Sequence, residues 1–63
     1  MNNNNPYLHI PISNLLDEYL SAFTNYMDYL NRADHIVWTQ AAEDIAAYRY
    51  HSIRNEIERR CQY

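Results

Sequence analysis

The side chains able to do chemistry are few and scattered. His9, His35 and His51 stand far apart, and no histidine or cysteine lies three or four residues from another. Zinc sites in small domains use paired ligands at close spacing, so this pattern points away from a metal centre. Cys61 is the only cysteine, which excludes an internal disulfide and leaves an intermolecular bridge open. It falls at the fraying end of a helical pattern with no histidine base beside it, a poor setting for a nucleophile. Glu43 and Asp44 are adjacent, so on a helix they project about 100° apart instead of converging on a substrate. A chain of 63 residues also has little room for a deep pocket. The expectation is a protein with no catalytic residue, no cofactor and no metal.

Two groupings of side chains suit binding. Arg49, Arg54, Arg59 and Arg60 make the C-terminal stretch arginine-rich, with Tyr48, Tyr50 and Tyr63 nearby. Arginine and aromatic groups together can grip a nucleic-acid strand. Glu56 and Glu58 interrupt the run, however, and the chain carries a formal charge of −3, which opposes a general attraction to phosphate. The second grouping is aromatic: seven tyrosines, Trp38 and Phe23. Tyrosine and tryptophan are favoured at protein interfaces because they bury a large area and keep a polar handle. A small core cannot enclose nine aromatic rings. Tyr29, Trp38, Tyr48 and Tyr50 are therefore the candidate protein-interaction residues, and the four arginines are the nucleic-acid alternative.

Charge is divided unevenly. Residues 1–34 hold four acidic side chains against Arg32 alone, whereas residues 35–63 hold four against four arginines; there is no lysine. An acidic half suits a basic protein surface better than an anionic membrane. No apolar run approaches the ~20 residues of a membrane span. The opening residues lack the basic and apolar regions of a secretory signal, so the expected location is the cytoplasm.

Two helical elements must position these groups. Leu16, Leu20, Phe23, Met27 and Leu30 follow at spacings of four, three, four and three, which places them in one stripe along a helix. The spacing predicts a helix over about 14–31, capped by Ser13 or Asn14, with this stripe as the core. Carried past Leu30 the stripe meets mostly polar positions, and a new pattern begins near Trp38 with Ala41, Ala42, Ile45, Tyr48, Ile53 and Ile57. A turn is expected at about 31–34, with Asp34 capping a second helix over about 35–60. That helix would overhang the first and leave Ile53 and Ile57 in the overhang. One long helix in a coiled coil is the rival arrangement. Within the helices, Asp28 with Arg32 and Glu56 with Arg60 are i,i+4 ion pairs. Residues 1–12 read as a flexible or extended N-terminal arm. Met1 to Asn5 offers nothing to bury, while Tyr7, Leu8, Ile10 and Ile12 form an apolar patch interrupted by Pro6 and Pro11, which favour extended backbone before them. This patch is expected to lie against the helices, with a fully mobile tail as the alternative. The expected fold is therefore all-α, a hairpin of two antiparallel helices with an extended arm. A core this small rarely supplies more than ~3–5 kcal/mol, so self-association into a small bundle, such as a homodimer, or a protein partner is expected.

The opening Met1-Asn2-Asn3-Asn4-Asn5-Pro6-Tyr7-Leu8 and the two-helix pattern after it resemble the very short early proteins of lambdoid bacteriophages, those encoded between the exonuclease and excisionase genes. The resemblance covers length, the asparagine-rich start and an all-helical, cysteine-poor composition. It implies a non-enzymatic accessory protein of the host bacterial cytoplasm. Such a protein would bind a host or phage regulatory protein and influence the choice between lysis and lysogeny, or host replication and division. It carries over no functional residue.

Overall fold

In the computed structural model, which describes residues 6–61, the chain folds into two helices, α1 over Ile12–Leu30 and α2 over Gln40–Arg60. Glu18 meets Arg49, Tyr19 meets Tyr50 and Arg60 meets Tyr7. Leu15 packs with Ile53, and Leu16 shares a groove with Ile57 and Glu58, so residues early in α1 meet residues late in α2 and the helices form an antiparallel hairpin. The expectation for Met1 to Asn5 lies outside the described residues.

The helix boundaries differ from the sequence expectation, for local reasons. α1 begins at Ile12 with Pro11 as its cap residue, and no side chain caps it. Proline arrives with a helix-compatible φ and has no N–H to satisfy, and its carbonyl accepts from the Leu15 N–H at 2.9 Å. Ser13 and Asn14 are inside the helix and bond to each other instead. At the other end Asn31 is the cap, and Arg32 takes the left-handed conformation at φ 53°. Ala33 N–H reaches Asp28 O at 3.0 Å and Arg32 N–H reaches Tyr29 O at 3.2 Å. Those are the two bonds of a Schellman motif, usually built on glycine. The chain has no glycine, so arginine fills a position that costs about 1 kcal/mol for a residue with a Cβ.

The connection is longer than expected, running over 31–39. Asp34 does not cap α2; Thr39 does, its Oγ1 accepting from Ala42 N–H at 3.0 Å. The β-branched pair Ile36-Val37 disfavours helix just where the sequence expectation placed its first turn. Trp38 then pins the entry. Its indole N–H donates to Glu43 at 2.8 Å, and the Arg32 guanidinium lies over its ring at 3.7 Å. Arg32 is thereby drawn away from the expected pairing with Asp28, which bonds His35 instead.

The later start leaves helices of 19 and 21 residues, nearly matched in length, and the expected overhang disappears. Ile53 is fully buried in the core with Leu15 and Ala22, and Ile57 packs against them; Ala46 is buried too. Within the chain, the Leu16-to-Leu30 stripe is not the core. Leu15, Tyr19, Ala22 and Tyr26 face α2, one residue out of step with it. One residue is about 100° of helix rotation, so Leu16, Leu20, Phe23 and Leu30 remain exposed on the flank. The arm is turned, not extended: Ile10 N–H bonds Tyr7 O at 3.3 Å, and Tyr7 and Ile10 pack on the core.

This core makes a direct prediction. Leu15→Ala and Ile53→Ala should each lower the unfolding free energy by about 2–5 kcal/mol. Ile45→Ala, at a residue 70% exposed, should change it by less than about 0.5 kcal/mol. Urea unfolding followed by circular dichroism reads the difference.

Candidate interaction surface

Three features stand out in the hairpin: an aromatic cluster between the helices, an ionic cluster at one end, and apolar residues left outside on both flanks.

Tyr50 centres the aromatic cluster. Its ring stacks on Tyr19 and Tyr26, each at 5.5 Å between centroids, tilts against Phe23 at 5.8 Å and meets the edge of His51 at 5.1 Å. The Tyr19 and Tyr50 hydroxyls lie 3.4 Å apart. That bond, aided by burial, raises the Tyr19 pKa above the usual phenol value. Such ring pairs add about 0.5–1.5 kcal/mol each beyond the area they bury. Tyr50 therefore packs the helices together. Of the other candidate interface residues, Tyr29 is half-buried, Trp38 is half-buried in its clamp, and Tyr48 is 74% exposed.

The ionic cluster is built on Glu56, which is only 2% exposed. Arg59 and Arg60 both bond its carboxylate. Arg60 also donates to the backbone carbonyls of Tyr7 and Leu8, at 2.9 and 3.2 Å, tying the arm to the end of α2. The Arg59 hydrogen bond, with Arg60 behind it, outweighs the burial that would raise the Glu56 pKa and holds it at about 2. Arg49 pairs with Glu18 at 2.8 Å and Arg54 with Glu58 at 3.2 Å. All four candidate nucleic-acid arginines are thus in ion pairs within the chain. The pairing of Glu56 with Arg60 was legible as an i,i+4 spacing. Its burial was not, since nothing near it in sequence shows that the arm folds over it.

The histidines are apart: His9 in the arm, His35 on Asp28 at 3.0 Å, and His51 against Tyr26 and Tyr50. Cys61 is exposed. Among the described residues no group of three or more His, Cys, Asp or Glu side chains could hold a metal ion, and no helix is long and apolar enough to cross a membrane.

Two apolar faces remain. On α1, Leu16, Leu20, Phe23 and Leu30 are between 41% and 62% exposed. Beside Leu16 an open groove of about 250 Å³ is lined by Leu16, Tyr19, Ile57, Arg54 and Glu58. On α2, Ile45 and Tyr48 are exposed with Ala41, at spacings of four and three, and Val37 stands out of the connection. Ile45 is nine residues from Arg54, half a turn round the helix. Since Arg54 lines the groove beside Leu16, the Ile45 face lies on the opposite flank. The spacing reads the α1 residues as core because periodicity shows an apolar stripe without showing what covers it; Tyr48 is one of the candidate interface residues. Comparison of the chain with protein-family models, with curated proteins and with solved structures finds no match.

The Glu56 cluster sets a pH dependence. Its carboxylate titrates at about 2 when folded and near ~4.3 when unfolded. The unfolded chain therefore binds the proton first. The stabilisation is fully present above about pH 4.5 and is lost as the pH falls towards 2. Glu56→Gln removes this contribution, so its stability should fall less between pH 5 and 3 than the parent's, by about 2 kcal/mol. Urea unfolding at several pH values checks it; parallel losses in the two proteins would place the acid sensitivity elsewhere.

Proposed function

We propose that the protein works by binding another protein and carries out no catalysis. The observation that carries this reading is the α2 flank. Ile45 and Tyr48 are 70% and 74% exposed and Val37 is 85% exposed. Large apolar groups grouped on one face mark binding surfaces more often than scattered ones do, and tyrosine is a favoured anchor. The resemblance to short early proteins of lambdoid bacteriophages supports a host or phage regulatory protein as that partner. It also supports the bacterial cytoplasm as the place of meeting, and an effect on lysis versus lysogeny or on host replication. Nucleic-acid binding through Arg49, Arg54, Arg59 and Arg60 would first require those groups to give up their carboxylate partners.

The test is capture from bacterial lysate, with and without nuclease treatment, by the parent and by the double variant Ile45→Ser, Tyr48→Ser. Both positions are outside the core, so the variant should stay as helical as the parent. Expected is a protein partner held at high salt by the parent and at least tenfold less by the variant. Species lost on nuclease treatment, or capture unaffected by the double variant, would overturn the reading.

A further inference from the structure

We propose that the exposed flank of α1 is the seam of a homodimer, in which α1 of a second copy lies antiparallel along it. This face is separate from the Ile45–Tyr48 face, so either reading can fail alone.

The argument begins with spacing. Leu16, Leu20, Phe23, Met27 and Leu30 recur at four, three, four and three. That 3.5-residue average is the pattern by which one helix packs along another, side chains entering the gaps of the facing helix. Within the chain the stripe is covered only at its edge, where Phe23 touches Tyr50 and Met27 is half-buried. Leu16, Leu20, Phe23 and Leu30 keep 41% to 62% of their surface exposed, since α2 takes the neighbouring face of α1. The occupant must then be a helix of similar length with an uncharged stripe of the same period. This chain supplies one: α1 itself.

Area supports the same occupant. The exposed parts of Ile12, Leu16, Leu20, Phe23 and Leu30 amount to roughly 500 Å² on one copy, so a two-fold pairing buries on the order of 1,000 Å², the scale at which specific interfaces begin. A 63-residue chain in which four apolar side chains are buried among the described residues gains from such added burial.

Charge sets the direction. Between Ile12 and Leu30 the charged side chains are Asp17, Glu18 and Asp28, and the first cation beyond is Arg32. Glu18 and Asp28 are engaged within the chain; Asp17 is exposed on the edge of the stripe. Antiparallel packing opposes the helix dipoles and keeps the two Asp17 carboxylates at opposite ends of the seam, while Arg32 stays on Trp38. Parallel packing would align the dipoles and set the two acidic ends side by side. The two-fold axis then passes Phe23, midway along the stripe, and Leu16 faces the partner's Leu30. The groove beside Leu16, apolar at its base with Arg54 and Glu58 at its rim, receives that leucine.

Sedimentation equilibrium of the full chain from micromolar to several hundred micromolar tests the proposal. The parent should be a dimer. Leu20→Glu should weaken the dimer at least a hundredfold with its helical circular dichroism kept, while Ile45→Glu stays dimeric. Leu20→Gln carries the comparison should the glutamate variant lose helicity. Direction is read in a Cys61→Ser background: Phe23→Cys should cross-link readily on oxidation and Leu16→Cys poorly. A monomeric parent overturns the proposal, as does a dimer indifferent to Leu20; the reverse cross-linking order overturns the antiparallel arrangement.

Discussion

Two helices can share only one line of contact, and everything else in this hairpin follows from that limit. α1 carries apolar residues on more than one side, but only one stripe can meet α2. The contacts across the line fix which one. Tyr19, Ala22 and Tyr26 meet a helix that offers Tyr50, and Glu18 reaches Arg49. Turning α1 by one residue to bury the leucine stripe would swing Glu18 away from Arg49 and Tyr19 away from Tyr50. The aromatic and ionic contacts thus choose the rotation. The price is an apolar flank left in water, which burial alone would not have chosen.

A second constraint comes from the arm. Its turn presents the carbonyls of Tyr7 and Leu8 towards the end of α2, where backbone acceptors shielded from water need donors. Arg60 supplies them, and Glu56 supplies the charge that lets Arg60 sit there. Arg59 shares the same carboxylate. An isolated buried carboxylate would be costly; one held by two guanidinium groups is compensated. The arm and the last turns of α2 therefore form one unit, and a change at Glu56 reaches the arm through Arg60.

Much of this was legible in the residues. The two helices, the break between them and the arginines of the last turn follow from periodicity and charge. Three things did not follow. The expected break is too short, because Asp34 and Thr39 are both good caps, and the β-branched Ile36-Val37 together with Trp38, held by Arg32 and Glu43, favours the second. The end of α1 gave no glycine to mark it, since Arg32 takes the left-handed position. The core face of α1 was misassigned because its leucine stripe is the more regular of two neighbouring stripes. Regularity reports what a second helix could pack on, and the helix that packs there need not be the next one in the chain. Of the candidate interface residues, Tyr48 is exposed, whereas Tyr29, Trp38 and Tyr50 are half-buried. Tyr50 was drawn inward by rings 24 to 31 positions away in sequence, which no local pattern reveals.

The two exposed flanks make different demands. The α1 flank is long, periodic and uncharged, so it suits another helix along its whole length. The α2 flank is short, with Tyr48 and Ile45 as separate anchors beside polar neighbours, and suits a few side-chain pockets on another surface. Pairing through α1 leaves both α2 flanks outside and repeats them about a two-fold axis. A partner with two sites at matching distance would then meet both at once, the second at the high effective concentration of a tethered group. A small chain with few anchors gains binding strength this way without enlarging either surface. The apolar flank that limits the hairpin as a monomer would in that arrangement set the spacing of its binding sites.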